Sequence, residues 1–107
     1  MDVVILESAE QDLKELRRYI VKNFSLDTWH STYAKLKQSI RHLKTFPQLG
    51  DVPEALESLN MCQYRQIISG MNRIIYEVRQ ETIYIHIIAD SRRDMKTLLA
   101  RRLLRIE

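Results

Sequence analysis

Apolar and polar positions change period twice along the chain, and each change marks a change of element. After Asp2, the unbroken run Val3 to Leu6 predicts a short buried strand over 2–6. The next apolar positions, Ala9, Leu13, Leu16, Ile20 and Phe24, follow the spacing of one helix face. They predict a helix over 9–23, with Ser8 as its N-cap and Gln11 completing a capping-box pattern. A second stripe, Leu26, Trp29, Tyr33, Leu36, Ile40 and Leu43, alternates steps of three and four. Ser25 or Asp27 caps it, and Phe46, Pro47 and Gly50 stop it. The join between the two helices is short, so they are expected to pack antiparallel. The stripe has two readings: a core face, or a seat for a partner helix with Trp29 and Tyr33 at its exposed end. Between Pro53 and Leu59 only a helical turn is expected.

From residue 61 the period becomes two. Tyr64 to Ile68 reads as a strand, with Ser69 and Gly70 as a turn. Arg73 to Arg79 alternates, with Ile74, Tyr76 and Val78 on one face and Arg73, Ile75, Glu77 and Arg79 on the other. After a turn at Gln80 and Glu81, Thr82 to Ala89 forms a third strand. Simple alternation puts Ile83, Ile85 and Ile87 on one face and Tyr84, His86 and Ile88 on the other. Both faces are apolar, which suits a central strand. Asp94 caps a last helix running to Ile106 and carrying Leu98, Leu99, Leu103 and Leu104. The order β-α-α-β-β-β-α predicts an α+β fold: an N-terminal strand at the sheet edge, an antiparallel helical hairpin packed on one face of a small antiparallel β-sheet, and a C-terminal helix.

Composition narrows the function classes. A length of 107 residues suits a single domain, 1–107. No apolar run approaches the roughly 20 residues of a membrane span, and no secretory leader is visible, so no membrane partner is expected. The single cysteine, Cys62, excludes a disulfide framework and a cysteine-based zinc site, and fits a cytoplasmic protein. It reads as a small buried hydrophobe. Two glycines cannot build a nucleotide-binding loop, so no cofactor is expected. His30, His42 and His86 lack metal-ligand spacing. No nucleophilic triad is suggested, nor a small-molecule substrate.

Charge is unevenly placed. Residues 1–60 carry eight Lys/Arg against nine Asp/Glu, residues 61–90 three against three, and residues 91–107 six against two. The excess positive charge lies in the tail, which suits an anionic partner. Arg65 and Arg73 fall either side of the Ser69–Gly70 turn and are expected near one another across the strands. With Arg92 and Arg93 they make either a phosphate-binding surface or solvated charges paired with Glu77, Asp90 and Asp94. His86 is either a general acid or base, or a half-buried structural histidine.

Several segments, taken in order, resemble the ParE/RelE superfamily of bacterial toxins from type II toxin–antitoxin pairs. They are Ser8 to Leu13, the helix end Leu43-x-x-x-Pro47-x-x-Gly50, Tyr64 with Arg65, Asn72 to Tyr76, Ile83 to Ile88, and Ser91 to Asp94. The resemblance covers nearly the whole chain and implies one of two activities on one fold. RelE-like members cleave messenger RNA in the ribosome by promoting attack of a ribose 2′-hydroxyl on the adjacent phosphate. ParE-like members poison DNA gyrase, block replication, and serve in growth inhibition and plasmid stabilisation.

This chain departs from the RelE-like pattern. Residues 61–90 contain no lysine, no tyrosine or histidine follows Arg92, and Leu98 stands about where a RelE-like tyrosine falls. Ala89, Asp90 and Ser91 occupy the stretch where a histidine is common, in many ParE members too. An RNA-cleaving set would comprise Arg65, Arg73, Arg92 and His86. Arginine is a poor proton-transfer group, with a pKa above about 12, so His86 would carry that step. The expected branch is therefore ParE-like: a gyrase inhibitor acting by contact, without catalysis, neutralised by a cognate ParD-like antitoxin. Such antitoxin segments are usually acidic and amphipathic, which makes Arg92, Arg93, Lys96, Leu99, Arg101 and Arg102 the candidate partner contacts. Leu99 is expected under the antitoxin rather than in the core. The alternatives are a RelE-like endoribonuclease acting with ribosome and mRNA, and an inactive relic that only binds antitoxin.

Overall fold

Four strands form one sheet in the order β1-β4-β3-β2 in the computed structural model, which describes residues 1–103. Leu104, Arg105 and Ile106, placed above in the last helix, lie outside the described residues. β1 (Asp2–Ile5) leads into α1 (Glu7–Asn23) and α2 (Leu26–Thr45). A short α3 (Glu54–Glu57) precedes the meander β2 (Tyr64–Ser69), β3 (Asn72–Arg79) and β4 (Thr82–Asp90), and α4 (Met95–Leu103) closes the described chain.

β1 joins the edge as expected, but it runs parallel to β4, with Asp2 opposite Thr82 and Ile5 opposite Ile85. The sheet is therefore mixed. The Leu6 N–H donates to the Ile85 carbonyl at 3.1 Å, so the ladder runs straight into α1. No loop residue is left to cap that helix. Leu6 is its N-cap, without a side-chain bond, and Ser8 turns its hydroxyl toward the His86 carbonyl instead. Glu7 and Glu10 in the first turn complement the helix dipole. At α2 the Ser25 hydroxyl accepts from the Thr28 N–H at 3.0 Å, settling the cap between the two candidates.

The largest departure from simple alternation lies between β3 and β4. Ile75 pairs with Ile87 but Tyr76 pairs with Ile85, so His86 is an extra residue in β4. Such a bulge reverses the face on which the following side chains stand. Ile83, Ile85 and Ile88 consequently pack with Ile74 and Tyr76 beneath α1 and α2. Ile87 and Ala89 join Ile75 on the opposite face, under Leu56, Leu98 and Leu99. Helices thus cover both faces of the sheet, not one. Trp29, Leu36 and Leu43 make the α2 stripe a core face, while Leu26 and Tyr33 hang beyond it, exposed. Trp29 stacks on Tyr33 with ring centres 5.3 Å apart.

Tyr76 ties the loop after α2 to the sheet. Its hydroxyl donates to the Pro47 carbonyl at 2.8 Å and accepts from the Gly50 N–H at 2.9 Å. Burial raises its pKa above the ordinary tyrosine value. A Cβ at Gly50 would stand 2.5 Å from the Gln66 carbonyl oxygen and 2.8 Å from the Tyr76 hydroxyl. Gly50→Ala is therefore expected to lower stability by about 1–3 kcal/mol, the range for overpacking. Tyr76→Phe should cost a similar amount, about 1–3 kcal/mol, by leaving the Gly50 N–H and the Pro47 carbonyl unpaired. Urea unfolding of both variants measures this.

Candidate functional site

β1 stops opposite Ile85, so beyond that point the outer edge of β4 has no strand beside it. The bulge at His86 lies just there. Two charged side chains meet the exposed backbone groups. The Asp12 carboxylate of α1 accepts from the Ile88 N–H at 3.0 Å, and the Arg102 guanidinium of α4 donates to the His86 carbonyl at 2.8 Å. The two also meet each other in a bidentate pair at 2.9 and 3.1 Å. Their side chains are only 12% and 19% exposed. α1 and α4, on opposite faces of the sheet, are thereby clamped round its edge. Asp12 sits on the apolar face of its helix, three residues after Ala9 and four before Leu16. That misplaced carboxylate was the signal available in the sequence.

The RelE-like set is not brought together. Arg65 pairs with Tyr76 and Ile68 with Arg73, which places Arg65 and Arg73 on opposite faces. The Arg65 guanidinium donates to the Gly50 carbonyl at 2.7 Å, while Arg73 donates to the Gln66 side chain at 2.8 Å and the Ser91 carbonyl at 3.4 Å. The Arg73 Nε is buried without a partner among the described residues. His86 Nε2 lies 2.7 Å from the Glu77 carboxylate, and the ring meets Tyr64 edge-on at 5.1 Å. Glu77 is itself buried and also holds Arg79 at 3.3 Å. This is the structural-histidine reading of His86.

The basic tail divides. Arg93, Lys96 and Arg101 are exposed. Arg92 is exposed too, and holds Asp90 through bonds of 3.0 and 2.7 Å. Those bonds keep the Asp90 carboxyl below the usual carboxylate range. Arg102 is committed to the internal clamp. Leu99 is 2% exposed and packs in the core with Leu56 and Ile75, so it is not left waiting for a partner. Asp94 caps α4 by accepting from the Lys96 N–H at 3.1 Å, and the Thr97 hydroxyl donates to it at 2.7 Å. Cys62, expected in the core, is exposed because it falls in the turn before β2. Among the described residues no group of histidine, cysteine and carboxylate side chains could hold a metal ion.

The described residues make a small α+β domain with an exposed basic end at Arg92, Arg93, Lys96 and Arg101. Its fold is that of a solved chain from the chromosomal ParDE toxin–antitoxin system of P. aeruginosa, with a TM-score of 0.71 and 14% identity. The match covers 84% of this chain and 95% of that one. The family model for the ParE toxin of the type II toxin–antitoxin system parDE matches residues 3–95. The chain belongs to this ParE toxin family. No curated protein matches it.

Arg102→Ala is expected to lower stability by roughly 3 kcal/mol, because it strands a largely buried carboxylate and the bulge carbonyl. Asp12→Ala should cost about as much, and the double variant less than the sum of the two by about 1–3 kcal/mol in a double-mutant cycle. Arg92→Ala should raise the Asp90 pKa toward its ordinary value, read by carboxyl-carbon NMR titration. The folded-state pKa is depressed, so the pair's stabilisation exists above the unfolded value of about 3.9 and fades as pH falls. The pair is exposed, so the midpoint of unfolding at neutral pH should move little.

Proposed function

We propose that this ParE-family toxin inhibits DNA gyrase by protein–protein contact, blocking replication, and that a cognate antitoxin neutralises it. The observation that carries this reading is the separation of Arg65 from Arg73 across the sheet, with His86 held by Glu77. Cleavage of RNA by its own 2′-hydroxyl needs cations and proton-transfer groups converging on one phosphate. Arg92, Arg93, Lys96 and Arg101 remain on the surface, where an acidic antitoxin segment would find complementary charge. Gyrase and its DNA substrate place the action in the cytoplasm.

The test is a gyrase assay with the purified chain, scoring supercoiling and trapped cleaved DNA together. Cleaved DNA should accumulate in proportion to added protein. Folded protein with no effect at several-fold molar excess would overturn the reading. Cleavage of ribosome-bound mRNA, abolished by Arg73→Ala, would replace it.

A further inference from the structure

The two helices of the hairpin differ in charge. α1 carries four acidic and four basic side chains between Glu7 and Asn23, so its signs balance. α2 carries Lys35, Lys37, Arg41 and Lys44 against Asp27 alone. Three of these cations share one face. Lys37, Arg41 and Lys44 are spaced by four and three, and Tyr33 stands four before Lys37. All four of these side chains are exposed. Lys35 falls on another side of the helix, by the β2–β3 turn.

No acid neutralises this row. Neither Lys37, Arg41 nor Lys44 is in an ion pair among the described residues. Asp27 stands ten positions before Lys37, roughly 15 Å along a helix axis. The Debye length at physiological salt is only about 8 Å. Like charges three and four apart on a helix repel, so the row costs stability unless anions lie against it.

Tyr33 orders the row. Trp29 stacks on its ring, and the Lys37 ammonium stands 4.7 Å from the ring centre. That cation–π contact holds one charge in place before any partner arrives. It also engages the ring within the row, so the ring does not stand out as an anchor for another protein. Point cations with polar spacers such as Gln38 suit a phosphate backbone instead. Lys37 to Lys44 span about 10 Å of helix axis. A rigid row on a helix matches duplex DNA, whose major groove admits a helix, better than duplex RNA, whose major groove is deep and narrow.

We infer that the exposed face of α2 binds the phosphate backbone of duplex DNA, with Lys37, Arg41 and Lys44 each on a phosphate. Such contacts position the protein on DNA without reading its sequence. The inference goes beyond the gyrase reading. It concerns DNA itself and is measured with no gyrase present, so either can fail alone.

The full chain is titrated into a fluorescein-labelled duplex of about 20 base pairs, and anisotropy is followed between about 50 and 200 mM salt. Saturable binding is expected, with log affinity falling linearly against log salt. Lys37→Gln, Arg41→Gln and Lys44→Gln together should cut that slope by about three, and Arg41→Gln alone by about one. Glutamine keeps the helix propensity, and a thermal melt confirms that the variants are folded. If the triple variant unfolds, Arg41→Gln decides. Arg93→Gln, Lys96→Gln and Arg101→Gln together remove the same charge from α4 and the turn before it, and should cut the slope by less than about one. Equal losses in the two triple variants would reduce the binding to net charge and overturn the proposal. So would absence of saturable binding at the lowest salt, an unchanged slope in Arg41→Gln, or tighter binding of an RNA duplex of the same sequence.

Discussion

His86 is one residue more than the β3 ladder accommodates, and the structure is arranged around that surplus. The bulge reverses the facing of β4 for its last residues. Ile88 turns to the helical hairpin, while Ile87 and Ala89 turn to the other face. The second hydrophobic layer is thereby built from Ile87 and Ala89 with Ile75, and Leu56, Leu98 and Leu99 cover it. The bulge also leaves backbone groups bare at an edge that β1 does not reach. Asp12 and Arg102 satisfy them, and in doing so link helices that never pack on the same face. One irregularity in a strand thus accounts for both the two-sided core and the clamp that closes it.

The same arrangement allocates the positive charge. The arginines singled out in the sequence, for a phosphate-binding surface or as partner contacts, have three different roles in the fold. Arg65 braces the loop at Gly50, beside the Tyr76 hydroxyl that holds Pro47. Arg102 is internal. Of the described tail cations, Arg92, Arg93, Lys96 and Arg101 face outward, where their charge can steer a partner. Part-buried guanidiniums bonded to carbonyls and carboxylates contribute to architecture. This division is why a strongly basic tail offers a partner fewer cations than its composition suggests.

Tyr19, Phe24 and Met71 expose large apolar groups at the hairpin tip and the β2–β3 turn, on elements other than α4. Their placement depends on a rigid frame. Trp29, Leu36 and Leu43 fix α2 on the sheet, and the short join at Phe24 and Ser25 then holds the tip of the hairpin above the β2–β3 turn.

The order of elements was legible along the chain, because periods of 3.6 and 2 are local properties of helix and strand. So were the Asp94 cap, the narrowing of the α2 cap to Ser25 or Asp27, and the two hairpin turns, since each rests on residues close in sequence. The family was legible too, from short segments kept in order. What the tertiary structure alone decided is everything that turns on register. A bulge is one residue of mismatch between two strands, and neither strand carries a mark of it. The face of Ile87, the burial of Leu99, the separation of Arg65 from Arg73 and the parallel run of β1 all follow from pairing between distant residues. Ser8 fits the capping pattern but does not cap, because β1 pairs right up to the helix. The 90 positions between Asp12 and Arg102 are closed by the fold, and no local pattern in either segment names the other.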